Sequence, residues 1–170
     1  AHVCRAAGLT YAEVDDALVH DSGLRALAGV SDFRELSRRA DAGDVAAVLA
    51  RDVFEYRVAK YAGAYAAGLG ALDAVVFTGA IGARADEVRR RVCERLEVMG
   101  VRLDPGANRD PAARAGRVSV ATSPVAVFAL EAQEEQAIAA MCRDVLGLTV
   151  PDVPRADLGS PAASSAGAGA

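Results

Sequence analysis

The chain has 170 residues, 52% of them hydrophobic and 25% charged, and a net charge of −4. That is enough apolar material for one domain with a proper core, and the charge offers no electrostatic case for nucleic acid or an anionic membrane as partner. No apolar run reaches the ~18 residues that a bilayer span requires. Cys4, Cys93 and Cys142, with only His2 and His20 beside them, lack metal-ligand spacing and form no CxxC pair, which argues against a zinc site and fits a reducing, cytoplasmic setting. The opening Ala1-His2-Val3-Cys4 has neither an initiator Met nor a signal pattern, so the expectation is a piece of something longer.

In chain order, Thr10-Tyr11-Ala12-Glu13 reads as a capping box, followed by a short helix with Val14, Ala17 and Leu18 on its apolar face. It ends at His20-Asp21-Ser22-Gly23, where His20 reads as a partner of the helix dipole. Residues 24–30 read as a compact apolar loop, and Ser31 as the N-cap of the next helix. Asp32 and Arg34 are by default a first-turn charge pair; the functional alternative is an Arg34 that stacks on a ring or binds phosphate, with Asp32 orienting it. Asp41-Ala42-Gly43-Asp44 breaks this helix. A long helix is expected from Val45 to about Leu69, with Val45, Val48, Leu49, Val53 and Tyr56 as its helical stripe. Tyr56, Tyr61 and Tyr65 read as core or interface aromatics.

Ala74-Val75-Val76-Phe77 shows no alternation and so predicts a strand buried on both faces. It delivers the small-residue loop Gly79-Ala80-Ile81-Gly82 to a helix. Such a loop is either an ordinary strand-to-helix turn or a place where backbone approaches a phosphate. In the helix that follows, Ala85, Val88, Val92, Leu96 and Met99 form the buried stripe, while Arg89, Arg90, Glu94, Arg95 and Glu97 read as its solvated face. Gly100 stops that helix. Val101-Arg102-Leu103, Arg117-Val118-Ser119-Val120 and residues 125–130 are strand candidates around a polar loop at 104–116. The last helix starts near Gln133, with Glu134 and Glu135 complementing its dipole, a buried stripe of Ala137, Ile138, Met141, Val145 and Leu146, and Gly147 at its end. Residues 149–170, rich in Pro, Ala, Ser and Gly, read as a disordered tail after a domain spanning 1–148.

Several of these stretches, taken in order, resemble the C-terminal part of acetate kinases of the acetokinase family. They are Ser22-Gly23-Leu24, Ser31-Asp32-Phe33-Arg34-Glu35-Leu36, Asp52-Val53-Phe54-Glu55-Tyr56-Arg57-Val58, Lys60-Tyr61-Ala62-Gly63-Ala64-Tyr65, the loop stretch 72–82, Arg91-Val92-Cys93-Glu94, and Gly100-Val101-Arg102-Leu103-Asp104. The resemblance implies a helix-rich α/β domain of the actin-like ATPase (ribonuclease H-like) fold, with a mixed sheet covered by helices. It implies phosphoryl transfer between ATP and acetate, giving acetyl phosphate and ADP, with Mg²⁺, in a homodimer. By the same resemblance Asp32, Phe33 and Arg34 lie beside adenine and ribose; Gly79, Ala80, Ile81, Gly82, Ala83 and Arg84 line the nucleotide; and Glu134 helps hold magnesium. No catalytic residue is carried over, because the family's acetate-handling groups belong to an N-terminal domain outside these residues, and the chain alone is expected to be inactive.

The family's usual loop is Gly-Gly-Ile-Gly-Glu-Asn, against Gly79-Ala80-Ile81-Gly82-Ala83-Arg84 here. Its Asp-Ser-Arg is Thr122-Ser123-Pro124, and its Pro-Thr-Asn is Glu131-Ala132-Gln133. These departures open two alternatives to acetate kinase: a degenerate, non-catalytic remnant acting as an interaction module, and part of a kinase for a longer acid such as propionate or butyrate.

Overall fold

A computed structural model describes residues 2–110 and 115–147; the proposed tail at 149–170 lies outside them. The chain divides into two units, residues 1–132 and 133–170.

The first unit begins with α1 (His2–Ala7), α2 (Tyr11–His20) and α3 (Gly23–Ala28). The Thr10–Glu13 capping box forms as the sequence predicts, each side chain meeting the other's backbone N–H. Residues 24–30 are not a loop: they supply most of α3, which Gly29 ends in the left-handed region. Helix α4 (Phe33–Asp41) is capped by Asp32, not Ser31, and the Asp32 carboxylate accepts from the N–H groups of Arg34 and Glu35. Aspartate accepts these two amides while answering the positive end of the helix dipole, which a serine hydroxyl cannot do as strongly.

The long helix is α5 (Val45–Leu69), capped by Asp44 and ended by Gly70. Its inward face differs from the predicted stripe. Ala47, Ala50, Arg51, Glu55, Ala59 and Ala66 are buried, while Val45 is 82% exposed and Val48, Leu49, Val53 and Tyr56 also face outward. The helix is apolar nearly all round, so hydrophobicity alone does not select a side. Alanines win most of the inner side because α3, α4 and α7 pack closely on it. Tyr61 and Tyr65 are likewise exposed, stacked on each other at 6.3 Å.

The sheet of the described residues has three strands in the order β1-β3-β2, from β1 (Ala74–Phe77), β2 (Ala115–Arg117) and β3 (Ala126–Leu130). β1 runs parallel to β3, with Val75 opposite Val127, and β2 runs antiparallel to it, with Gly116 opposite Ala129. β1 is therefore an edge strand, and it is not buried on both faces: Phe77 is buried, but Val76 is 52% exposed. The strands expected at 101–103 and 117–120 are present only as single bridges, Val101 to Val125 and Leu103 to Ser119, with β2 displaced to Ala115–Arg117.

Between β1 and β2 lie α6 (Gly79–Arg84), α7 (Asp86–Arg95), a short 3-10 turn at Glu97–Met99 and α8 (Pro105–Arg109). The α7 stripe holds, with Val88, Val92 and Leu96 buried and Ala85 and Met99 packed against the core. Gly100 closes the 3-10 turn at φ +90°, and a Cβ there would come within 3.2 Å of Pro124. Phe33 and Phe54 meet at 4.8 Å and join the same core, with Leu36, Val101, Val118, Val127 and Ala129.

Glu55 is the anomaly of this interior. It is fully buried, neither carboxylate oxygen has a hydrogen-bond partner, and the closest cation, Arg91, stands 3.9 Å away. Burial pushes its carboxyl up to about 7, against the opposing pull of Arg91 and Arg51.

In the second unit α9 (Glu134–Leu146) starts after Gln133 and ends at Gly147, φ +64°, as the sequence predicts. The expected buried stripe does not form: Ile138, Met141, Val145 and Leu146 are exposed, as is Ala137. A stripe read from periodicity shows only which side is apolar, not that anything covers it. Among the described residues no helix is long and apolar enough to cross a membrane.

Candidate functional site

The residues singled out by sequence lie on three separate elements. Asp32, Phe33 and Arg34 form the start of α4. Asp32 is occupied by its cap bonds, which hold its carboxyl below the usual range, and it stands 3.5 Å from the Arg34 guanidinium. The Phe33 ring is buried against Phe54, so its side chain serves the core. The Arg34 side chain is 94% exposed and free to reach a ligand. Both readings of the Asp32–Arg34 pair are thus compatible with the geometry: the first-turn pair exists, and the arginine head remains in solvent.

The loop at 79–84 is a helix, α6, standing at the C-terminal end of β1. Gly79 has φ +74° with open space around a notional Cβ, so glycine is needed there for its backbone alone. At Gly82 the reason differs: a Cβ would sit 3.3 Å from the backbone of Phe77, so glycine lets α6 lie close on β1. Ala80 is exposed and no non-glycine described residue has positive φ, so the methyl that replaces the family's second glycine imposes no backbone strain. Outward lie Gly79, Ala80 and Arg84; Ile81 and Gly82 are half-buried and Ala83 is buried. Gly79→Ala is expected to cost about 1–2 kcal/mol, the penalty for an L-residue in the left-handed region, in chemical denaturation. An unchanged midpoint and slope would contradict the assigned backbone role.

Arg84 pairs with Glu131 at 3.5 Å, both side chains being more than half exposed. These are two of the departures from the family pattern, and they meet across the C-terminal ends of the adjacent parallel strands β1 and β3. Ser123, in a third departure, is structural: it donates toward the carbonyls of Val125 and Gly100 and accepts from the N–H of Arg102. Asp32 and Arg34 bond at their own helix start and Arg84 bonds to Glu131, so no direct bond joins the two segments. Glu134 lies in the exposed first turn of α9.

Sequence reasoning missed Arg89. Assigned to the solvated face, it is 2% exposed. Its Nη1 donates to the carbonyls of Gly82 (2.9 Å) and Ala83 (2.8 Å), its Nε to Asn108 Oδ1 (2.7 Å) and its Nη2 to the Asn108 carbonyl (2.6 Å). Asn108, also buried, donates from Nδ2 to the Asp86 carbonyl at 2.9 Å. A signal was present: Val88, Arg89, Val92, Cys93 and Leu96 follow i, i+1, i+4, i+5, i+8, the broad stripe of a core-facing helix. Of the other charges assigned to that face, Glu94, Arg95 and Glu97 are exposed and Arg90 is half-buried, with Arg90 bridging Glu87 and Glu94, and Arg95 paired to Asp52.

Among the described residues no group of three His, Cys, Asp or Glu side chains is placed to hold a metal ion. Cys93 is buried, and burial pushes its thiol up to about 12, which makes it an inert core residue.

The acetokinase family model matches residues 1–140. The chain belongs to the acetokinase family. It is 41% identical over 139 residues to an acetate kinase of Oleidesulfovibrio alaskensis, covering 82% of this chain and 35% of that enzyme. Among solved structures, an acetate kinase of Porphyromonas gingivalis superposes with a TM-score of 0.75 at 33% identity, over 85% of this chain and 37% of that one. A propionate kinase of Francisella tularensis superposes with a TM-score of 0.73 at 31% identity, over 81% and 35%. This acetokinase chain thus spans about a third of the length of the relatives it matches, and its helix-rich α/β architecture with a small mixed sheet is shared with them.

Proposed function

We propose that this chain is the nucleotide-side, C-terminal part of an acetate kinase with the actin-like ATPase fold, binding Mg·ATP or Mg·ADP through the start of α4 and the outer side of α6. The parent reaction is phosphoryl transfer between ATP and acetate, giving acetyl phosphate and ADP in the cytoplasm. The observation that carries the reading is the placement of α6. Gly79, Ala80 and Arg84 are presented outward at the C-terminal end of a parallel strand, where open α/β sheets bind their ligands, and Gly82 and Ala83 hold the inner side against the sheet. Arg34 supplies a second exposed cation suited to a purine face or a phosphate.

A single exposed carboxylate such as Glu134 suits a magnesium ion that arrives on phosphates, because Mg²⁺ is commonly held by one or two carboxylates plus phosphate oxygens rather than by an all-protein cage. Glu134 is the residue proposed to take part, and the metal would supply charge neutralisation during transfer. No acid, base or acetate-binding group is assigned to this chain, so it is proposed to be inactive by itself. Homodimerisation is part of the same reading, supported by the exposed apolar side of α5 at Val45, Leu49 and Tyr56. A chain that sediments as a monomer at every accessible concentration would remove it.

A second reading, the non-catalytic remnant, is favoured by one observation: the Arg84–Glu131 pair places a carboxylate beside the cation that would otherwise face nucleotide phosphates. Amide chemical shifts separate the two. Titration with Mg·ADP is expected to move resonances at 32–34 and 79–84 together; shifts confined to other surfaces, or none, would favour the remnant. The acceptor is proposed to be acetate; since a propionate kinase is among the similar structures, propionate is the competing acceptor to assay with the complete enzyme.

A further inference from the structure

We propose that Arg89 is a positioning residue for the 79–84 segment: it fixes where the outer side of α6 stands by holding the buried end of that helix, and never touches the ligand. The nucleotide consequence of this proposal rests on the reading of α6 as a nucleotide-side element; the mechanical part does not.

A helix leaves its last carbonyls without intrahelical donors, and in α6 the final helical bond is the one from the Ala85 N–H to the Ile81 carbonyl. The carbonyls of Gly82 and Ala83 therefore need donors from elsewhere, in a region where Ala83 is 2% exposed. One nitrogen of Arg89 serves both, at 2.9 and 2.8 Å. The rest of the same planar fork is fixed by Asn108 in α8, through side chain and backbone at 2.7 and 2.6 Å. Asn108 in turn holds the Asp86 carbonyl at the start of α7. The ends of α6 and α8 and the beginning of α7 are thus joined through one rigid, permanently charged group.

The charge suits its place, since the carbonyl ends of α6 and α8 both converge on it and a cation complements the negative end of a helix. Geometry matters as much as charge. A lysine could bring a positive charge to this point, but a single ammonium cannot reproduce the guanidinium's fork of divergent donors. With Gly82 lying on the Phe77 backbone from one side and Arg89 gripping the carbonyls from the other, α6 has little freedom to tilt. Its exposed residues Gly79, Ala80 and Arg84 inherit that fixed position.

The test compares Arg89→Lys with Val101→Ala, a substitution of a fully buried core residue that bonds none of these helix ends, by amide hydrogen exchange and by Mg·ADP titration. In Arg89→Lys, exchange at amides 80–86 is expected to quicken by roughly 3- to 30-fold more than the change in global stability accounts for, with Mg·ADP affinity weakened over a similar range. Val101→Ala should raise exchange across the unit in step with its global destabilisation, leaving 80–86 in line with the rest. Equal local and global effects in Arg89→Lys would overturn the proposal. If the unsubstituted chain binds no Mg·ADP, the nucleotide reading fails by itself, and exchange at 80–86 still decides whether Arg89 holds the segment. Should Arg89→Lys not fold, Asn108→Ala, which removes the Oδ1 acceptor and the bond to Asp86 but leaves the arginine, is expected to give the same local pattern; its absence there would count against the proposal.

Discussion

Replacing Glu55 by glutamine is expected to stabilise the chain by about 2 kcal/mol at about pH 8 and to change little at about pH 5. The carboxyl ionises near 4.5 in the unfolded chain and near 7 in the folded one, because burial without a hydrogen bond disfavours its charge more than Arg91 and Arg51 favour it. Between those values the folded state binds more protons than the unfolded state, so stability falls as pH rises through the window, and the penalty is complete above about 7. Glutamine, which never ionises, removes the slope. Glu87 works in the opposite direction: bonds from Arg90, then Arg91, hold its carboxyl down at about 2, so its contribution is present above the unfolded value and is lost as pH falls toward 2. Urea denaturation of both proteins at the two pH values reads the effect, and an equal difference at both would show that burial does not raise the Glu55 carboxyl above its unfolded value.

Leu36→Ala is expected to cost about 3 kcal/mol, while Leu49→Ala costs at most about 0.5 kcal/mol in the monomeric chain. Both are leucines on helices, but Leu36 has no exposed surface and packs in the core, whereas Leu49 is 53% exposed on the outer side of α5. Denaturation at low protein concentration keeps self-association from masking the contrast. If Leu49→Ala is the more damaging change in the monomer, α5 packs by the other face and the described core is wrong. The same pair bears on the homodimer, since Leu49→Ala should then matter only where copies associate.

What the sequence made legible is what neighbouring residues decide among themselves. The Thr10–Glu13 box, the end of α5 at Leu69 and of α9 at Gly147, and the strands at 74–77 and 126–130 all follow from local chemistry, whereas the helix expected to run to Gly100 stops at Arg95 and Gly100 closes only the 3-10 turn after it. What failed depends on partners far along the chain. The buried face of α5 is chosen by α3, α4 and α7, not by α5's own nearly uniform apolarity. The one-sided exposure of β1 follows from one face of the sheet being less covered, a difference the central strand β3 shares and which no four-residue run can reveal. Arg89 escaped because a charged residue beside a stripe is usually solvated; the Gly82 and Ala83 carbonyls and Asn108, nineteen positions away, make its burial tolerable. At the candidate site the pattern repeats. The segments 32–34 and 79–84 were found by resemblance, but their division of labour needed coordinates: Asp32 caps, Phe33 fills the core, and Arg34 alone projects. Likewise Gly79 and Gly82, identical letters in one motif, answer different needs, one a backbone angle and the other a close contact.

The central claim is that this acetokinase chain carries the nucleotide side of the site. Calorimetric titration of the chain with Mg·ADP tests it most directly. Saturable binding with one nucleotide per chain, weakened by Arg34→Ala, is the predicted result, since Arg34 is exposed and its loss leaves the core intact. No detectable heat at millimolar Mg·ADP, from a chain that is folded by circular dichroism, would contradict it.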